Sequence, residues 1–66
     1  MNVTVNGKQT DVADDTSIVM LLSQFNITSP MTIVEVNREV VAREEWDGRN
    51  LSEGDEIEII QLMGGG

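Results

Sequence analysis

The first residues of the chain alternate between apolar and polar side chains. In residues 1–5, Val3 and Val5 fall on one face of an extended segment, which is the period-two pattern of a half-buried strand. The pair Asn6-Gly7 follows, and both residues tolerate the positive φ angles of a type I′ hairpin turn. We therefore expect residues 8–12 to return as a second strand, antiparallel to the first.

The period of the apolar positions then changes from two to that of a helix. Residues 14–17 read Asp-Asp-Thr-Ser, a set of good N-cap residues with negative charge where the helix dipole favours it. Asn26 can take the left-handed conformation that ends a helix, and Pro30 prevents its continuation. The predicted helix carries one apolar stripe at i, i+3, i+4 and i+7, formed by Ile18, Leu21, Leu22 and Phe25.

Two shorter strands are predicted in the middle of the chain. Residues 32–36 alternate, and the polar pair Asn37-Arg38 predicts a turn before a return strand at 40–41. Residues 43–49 are polar apart from Trp46, which predicts a loop or a single helical turn. A lone Trp in so small a domain favours a place at one end of the core over a role as an interface anchor.

The last predicted strand covers residues 56–62, after a turn at 53–55. Ile57 and Ile59 share one face, and the opposite face carries Glu56, Glu58, Ile60 and Leu62. Ile60 and Leu62 are candidate partner-binding residues, because an exposed apolar pair beside the chain end can dock onto another protein. The alternative is that they are ordinary scattered surface aliphatics.

The order of elements is β-β-α-β-β-β, which predicts an α+β fold. A helix with one apolar stripe must lie across one face of a single sheet. The first and last strands are the best candidates for a central, parallel pair, and that arrangement is the β-grasp (ubiquitin-like) fold with a mixed sheet of four to five strands. We expect residues 1–63 to form this domain and residues 64–66 to form a flexible glycine tail.

Composition narrows the possible functions. The chain has 66 residues and contains neither cysteine nor histidine, which excludes disulfides, thiolate nucleophiles and the usual zinc ligands. A domain of this size has a thin core and little room for an enclosed active site. The sequence therefore favours a carrier or binding protein over an enzyme, with no metal or cofactor of its own.

Charge and hydropathy restrict the partners and the location. The net charge of −8 disfavours nucleic-acid binding, which needs clustered Lys and Arg. It serves solubility, steering towards a basic partner surface, or both. The acidic runs at 44–47 and 55–58 lack the spacing of a calcium loop and are interpreted as solvated surface. With no signal peptide and no bilayer-length apolar run, we expect a cytoplasmic protein that does not enter membranes.

The sequence ends in Gly64-Gly65-Gly66, directly after the last predicted strand. Three extended residues reach about 10 Å, and without side chains they can thread a narrow channel. The final carboxylate is unhindered but ionised, and an ionised carboxylate is a poor electrophile. It must be activated with ATP, and the sequence has no phosphate-binding glycine motif to do this itself. A glycine run taken alone is more often only a flexible linker.

Three segments together resemble the ThiS family, the sulfur carriers of thiamine biosynthesis. Residues 5–8, Val-Asn-Gly-Lys, are similar to the family's opening hairpin, and residues 40–46, Val-Val-Ala-Arg-Glu-Glu-Trp, to its middle segment. Ala42 stands where the family commonly has proline. Residues 53–60 and the terminal glycines resemble the family's ending, and a diglycine end alone is shared by all ubiquitin-like carriers.

The resemblance implies a pathway and its partners. A ThiF-like enzyme would adenylate Gly66 with ATP, a sulfurtransferase and cysteine desulfurase system would supply sulfur, and the thiocarboxylate would donate it to a ThiG-like thiazole synthase. Gly64 and Gly65 would bind the partners, and the free carrier would be a monomer. The alternatives are the small subunit of molybdopterin synthase, a protein modifier, and a binding module with an inert tail. Arg43 is expected to contact a partner or to pair with Glu44, Glu45 or Asp47.

Overall fold

The fold is formed by five strands and one helix. A computed structural model describes residues 1–62. The strand boundaries lie within about a residue of those predicted from the alternation. The segment predicted as a loop or a single helical turn contains a short 3₁₀ helix just before Trp46. In chain order the elements are β1 (Asn2–Val5), β2 (Lys8–Asp11), α1 (Ile18–Gln24), β3 (Thr32–Val36), β4 (Glu39–Val40), the 3₁₀ helix (Arg43–Glu45) and β5 (Glu56–Gln61).

All five strands belong to one mixed sheet in the order β2-β1-β5-β3-β4. β1 and β5 are parallel, with Val5 opposite Ile57. The other neighbouring pairs are antiparallel. The predicted fold class and the central parallel pair are confirmed, with β5 in the middle of the sheet and β1 beside it.

Both predicted two-residue hairpin turns are present, and both contain two residues with positive φ. Asn6 and Gly7 have φ of 50° and 82°, and Asn37 and Arg38 have φ of 53° and 71°. Two successive left-handed residues are the signature of a type I′ turn, which matches the twist of the strands that it joins. Gly7 takes this conformation without steric cost, whereas Arg38 does not.

The helix begins at the N-cap Ser17, whose Oγ accepts a hydrogen bond from the Met20 amide at 3.1 Å. Three of the four predicted stripe residues are buried against the sheet: Ile18, Leu21 and Leu22. The prediction for Phe25 is wrong. The helix stops at Gln24, so Phe25 is the C-cap residue and is 41% exposed.

The core lies between α1 and one face of the sheet. The sheet contributes the alternating residues of β1, β3 and β5, and Trp46 and Leu51 close one end. The buried apolar residues are Val3, Val5, Val12, Ile18, Leu21, Leu22, Val34, Val36, Val41, Trp46, Leu51, Ile57 and Ile59. The opposite face of the sheet carries no helix of the described part of the chain. Within residues 1–62, no helix has the length and apolar character needed to cross a membrane.

Candidate functional site: the end of the central strand

The alternation of β5 places two kinds of residue on its two faces. Ile57 is 1% exposed and Ile59 is buried with it under the helix. Ile60 and Leu62 point away from the core and are 37% and 47% exposed. The orientation predicted for Ile60 and Leu62 is therefore confirmed, while their role as partner-binding residues stays a prediction.

β3 extends this exposed apolar surface. The register places Ile33 directly opposite Ile60, so the two side chains are cross-strand neighbours on the open face. The Leu62 amide donates to the Met31 carbonyl at 2.9 Å, which continues the same register by one pair. We call these four residues the tail-root patch: Met31, Ile33, Ile60 and Leu62. Sequence reasoning missed Met31 and Ile33, because only the register between β3 and β5 brings them beside the predicted pair.

Beyond this patch the open face carries several carboxylates, although Val40 is also exposed there. Glu35 and Glu58 are directly opposite each other in the sheet, and both line a shallow hollow together with Glu56 and Arg38. Like charges opposite each other on neighbouring strands are mildly destabilising. The open face thus combines an apolar patch at the last described residue, Leu62, with carboxylates further along the strands, so a complementary partner would carry an apolar surface flanked by basic side chains.

These carboxylates do not form a metal site by geometry. Within the described part of the chain, no group of three or more Asp and Glu residues is arranged to hold a metal ion. Two facing carboxylates and a guanidinium beside them make a charged surface instead. Electrostatic complementarity of this kind acts on association rate and specificity more than on affinity.

Asn6 contributes to the candidate site in a way that the sequence did not reveal. It was predicted only as a turn residue, yet its side chain reaches β5. Oδ1 accepts a hydrogen bond from the Ile59 amide at 2.8 Å, and Nδ2 donates to the Ile59 carbonyl at 3.3 Å. One side chain thus satisfies both backbone groups of the residue that precedes the tail-root patch on β5.

Trp46 and Arg43 lie elsewhere and serve the fold. Trp46 is buried, and its Nε1 donates to the Val41 carbonyl at 2.9 Å, so the prediction of a core residue is confirmed. The Arg43 guanidinium lies 4.8 Å from the centroid of the Trp46 ring and donates to the Pro30 carbonyl. The expected pairing of Arg43 with a neighbouring carboxylate is therefore wrong, because the indole face and this carbonyl take the guanidinium.

The predicted reactive end follows this site directly. Gly64, Gly65 and Gly66 lie outside the described residues, as does Met63. The described part of β5 stays extended to Gln61 and still pairs with the chain before β3 at Leu62. The tail-root patch is therefore the part of the described surface that is closest in sequence to the glycines.

Comparison with known proteins identifies the family. Residues 3–66 match the sequence profile of the ThiS family. The chain belongs to the ThiS family. A sulfur carrier protein ThiS of Bacillus subtilis (strain 168) is 33% identical over 63 residues, which cover 94% of this chain and 96% of that protein. The resemblance inferred from residues 5–8, 40–46 and 53–60 is confirmed.

Structural comparison agrees with this ThiS-family assignment. The crystal structure of a thiamine biosynthesis protein (ThiS) from Geobacter metallireducens superimposes with a TM-score of 0.85 and 39% identity, over 100% of both chains. A thiazole synthase from Paramagnetospirillum magneticum (strain AMB-1) is 27% identical to the whole of this chain, which spans 20% of that protein. The family, its fold and the expected function as a sulfur carrier of thiamine biosynthesis are thereby supported together.

Proposed function

We propose that this chain carries sulfur on the carboxyl group of Gly66 for the formation of the thiazole ring of thiamine. The observation that carries the proposal is the course of β5. The central strand of a ThiS-family fold runs extended to Gln61 and continues into a sequence that ends in three glycines. The sheet therefore acts as a rigid base from which a side-chain-free segment enters a partner's active site.

The chemistry takes place on this chain but is supplied by other proteins. An ionised carboxylate resists nucleophilic attack, so the carboxyl group of Gly66 is first joined to AMP from ATP, with release of pyrophosphate. A persulfide sulfur then attacks the carbonyl carbon and AMP leaves, which gives an acyl disulfide between Gly66 and the sulfur donor. A thiol then attacks the donor's sulfur, the S–S bond breaks, and the thiocarboxylate leaves while the donor and the thiol form a disulfide. The chain is in this sense a protein co-substrate, and it uses ATP only through a partner.

We propose three kinds of partner: a ThiF-like adenylating enzyme, a sulfurtransferase with its cysteine desulfurase, and a ThiG-like thiazole synthase. The thiazole synthase of Paramagnetospirillum magneticum supports the last of these, because about a fifth of that protein is similar to this whole chain. A carrier segment within a synthase keeps donor and acceptor together. Because its activation uses ATP, we place the carrier in the cytoplasm. We also propose that the free carrier is a monomer.

The tail-root patch is the proposed docking surface for these partners. Its apolar side chains lie on the open face beside the start of the glycine segment, and the acidic side chains of Glu35 and Glu58 flank it on the same strands. Burial of apolar surface supplies affinity at about 25 cal/mol per Å². The flanking carboxylates add steering towards a basic surface, so association should slow as salt rises.

Mass spectrometry tests the reactive end. The chain is incubated with ATP, an adenylating enzyme of the ThiF type, a persulfide source and a thiol reductant. The intact chain should gain the mass of one oxygen-to-sulfur exchange, located at Gly66 by fragmentation. A variant that lacks Gly65 and Gly66, and so has no diglycine end, should gain nothing while it unfolds at the same urea concentration as the unaltered chain. If the unaltered chain keeps its mass under conditions that convert a known carrier, the proposal is wrong.

A paired substitution tests the docking surface. The variant with Ile60→Ser and Leu62→Ser should raise the KM for the carrier in adenylation about tenfold or more. Val40→Ser is the matched control, because Val40 is 67% exposed and lies opposite Glu35 on the open face, away from the glycines. Equal KM values for the two variants would remove the tail-root patch from the proposal and leave the reactive end untouched.

Growth complementation separates the pathways. The gene should restore growth without thiamine to a bacterial strain that lacks its own thiamine sulfur carrier. Rescue of molybdenum-enzyme activity alone, in a strain without the small subunit of molybdopterin synthase, would assign the chain to that pathway instead.

A further inference from the structure

The side chain of Asn6 takes the place of a strand at the point where β1 ends. β1 stops at Val5, which is level with Ile57 of β5, and the Asn6 amide still donates to the Ile57 carbonyl at 2.9 Å. Beyond this level the chain turns away into β2. The next backbone groups of β5 that face this side belong to Ile59, and the carboxamide of Asn6 bonds to both of them.

The register of β3 explains why Ile59 needs this contact. In an antiparallel pair, the residues of one strand alternate between bonding to the partner strand and pointing away from it. Leu62 bonds to Met31, and Glu56 bonds to Asn37, so the even-numbered residues of β5 bond towards β3. The amide and carbonyl of Ile59 therefore point to the β1 side, where the Asn6 carboxamide is the group that receives them.

Asn37 provides a built-in comparison at the other end of β5. It is also the first residue of a two-residue turn with positive φ. Its Oδ1 accepts from the Glu56 amide at 3.0 Å, and its Nδ2 donates to Asp55 Oδ1 at 3.0 Å. Asn37 thus holds the start of β5 from the β3 side, whereas Asn6 holds the strand from the β1 side, three residues before Leu62.

We propose that Asn6 is a positioning residue for the carrier reaction, which fixes the direction in which β5 delivers the terminal glycines. This inference rests on the proposed function of Gly66. Beyond Ile59, the described backbone pairing of β5 lies along one edge only, the edge that faces Ile33 and Met31. A strand held along a single edge can swing about that edge, and the Asn6 carboxamide opposes this motion from the other side. Small misplacement of a reacting group can lower its rate by up to about 100-fold.

Two substitutions separate positioning from stability. Asn6→Gly and Asn37→Gly each remove one carboxamide, and glycine keeps the left-handed turn at no steric cost. Amide hydrogen exchange should rise at Ile59 in the first variant and at Glu56 in the second. Urea unfolding should report similar losses of stability for both, because each loses two side-chain hydrogen bonds: Asn6 both to the Ile59 backbone, Asn37 one to the Glu56 amide and one to Asp55.

The activity of the two variants should differ. In conversion to the thiocarboxylate by the adenylating enzyme, a persulfide source and a thiol reductant, Asn6→Gly should lower kcat about tenfold. The KM of the enzyme for this variant should stay within about twofold of its KM for the unaltered chain, since the tail-root patch is intact. Asn37→Gly should leave both parameters within about twofold. Asn6→Asp keeps an acceptor for the Ile59 amide but places a second oxygen against the Ile59 carbonyl, so it should recover part of kcat.

Equal kcat values for Asn6→Gly and Asn37→Gly, with the unaltered chain fully converted, would overturn the positioning role and leave the proposed function standing. The role would also be overturned if the loss in Asn6→Gly lay in KM alone. Failure of the unaltered chain to be converted would instead overturn the proposed function. Should Asn6→Gly unfold, the comparison of Asn6→Asp with Asn37→Asp gives the same decision.

Discussion

The two faces of the six-residue strand β5 differ in burial. On the helix side, Ile57 is 1% exposed and packs in the core. On the open side, Ile60 is 37% exposed and has no helix over it within the described chain. The two isoleucines are chemically identical and three residues apart, and strand alternation alone assigns them to opposite faces. The difference teaches that the core face stabilises the fold, so the apolar residues of the open face are free to serve recognition.

β3 repeats this division. Val34 and Val36 are buried, while Ile33 and Glu35 on the alternate positions face outward. A solvated sheet face ordinarily carries polar side chains. The tail-root patch departs from this rule as a cluster of four apolar side chains, whereas towards the other end the face carries carboxylates, with Val40 as an exposed apolar exception. A requirement of folding does not explain this apolar cluster, and the proposed docking of a partner would account for it.

The largest expected effect is on the core face. Ile57→Ala should lower the free energy of unfolding by about 3 kcal/mol, because it removes buried methyl groups and leaves a cavity. Ile60→Ala should cost less than about 1 kcal/mol, because part of that side chain already contacts water. Urea unfolding followed by circular dichroism measures both. Similar losses for the two variants would mean that the open face also stabilises the fold, and the division between the faces would be lost.

The second prediction concerns the end of the core that Trp46 closes. Trp46→Phe should lower the free energy of unfolding by about 2 kcal/mol, since the ring fills less volume and the Val41 carbonyl loses the donor that bonds to it at 2.9 Å. The control is Arg43→Ala, which removes the guanidinium above the ring together with its hydrogen bond to the Pro30 carbonyl and should cost about 0.5–1 kcal/mol. An equal or greater loss of unfolding free energy for Arg43→Ala would show that the Arg43 side chain, rather than the buried indole, stabilises this end of the core.

Most of the fold was predictable because it follows from local signals. The alternation around Val3 and Val5, the turn residues Asn6-Gly7 and the N-cap Ser17 each act within a few residues along the chain. Phe25 shows where this fails. Its spacing fits the helix stripe, but Asn26 has a φ of 57°, and the left-handed exit ends the helix one residue too early for Phe25 to reach the core.

The candidate site was only partly predictable, since its geometry depends on contacts between distant segments. Ile60 and Leu62 were found from alternation alone. Met31 and Ile33 join them through the register of β3 with β5, and Asn6 contacts Ile59 across 53 positions of sequence. No local pattern reports such distances. The proposed role of Gly66 rests on the chemistry of a terminal glycine and on family resemblance.

The smallest expected effect lies in the turn at the acidic end of the open face. Arg38 has a φ of 71° where Gly7, the equivalent residue of the other turn, has 82°. A side chain in the left-handed region costs about 1 kcal/mol. Arg38 also lines the hollow that contains Glu35, Glu56 and Glu58, so its charge partly offsets their repulsion.

Arg38→Gly and Arg38→Ala separate these two contributions, because both remove the charge and only glycine relieves the backbone. The free energy of unfolding of Arg38→Gly should exceed that of Arg38→Ala by about 1 kcal/mol at any salt concentration. The loss in Arg38→Ala relative to arginine should shrink in 0.5 M salt, where exposed charges are screened over about 4 Å. If alanine and glycine give equal stability, backbone strain at Arg38 is absent. Charge would then be the only contribution of Arg38 to stability at this end of the open face.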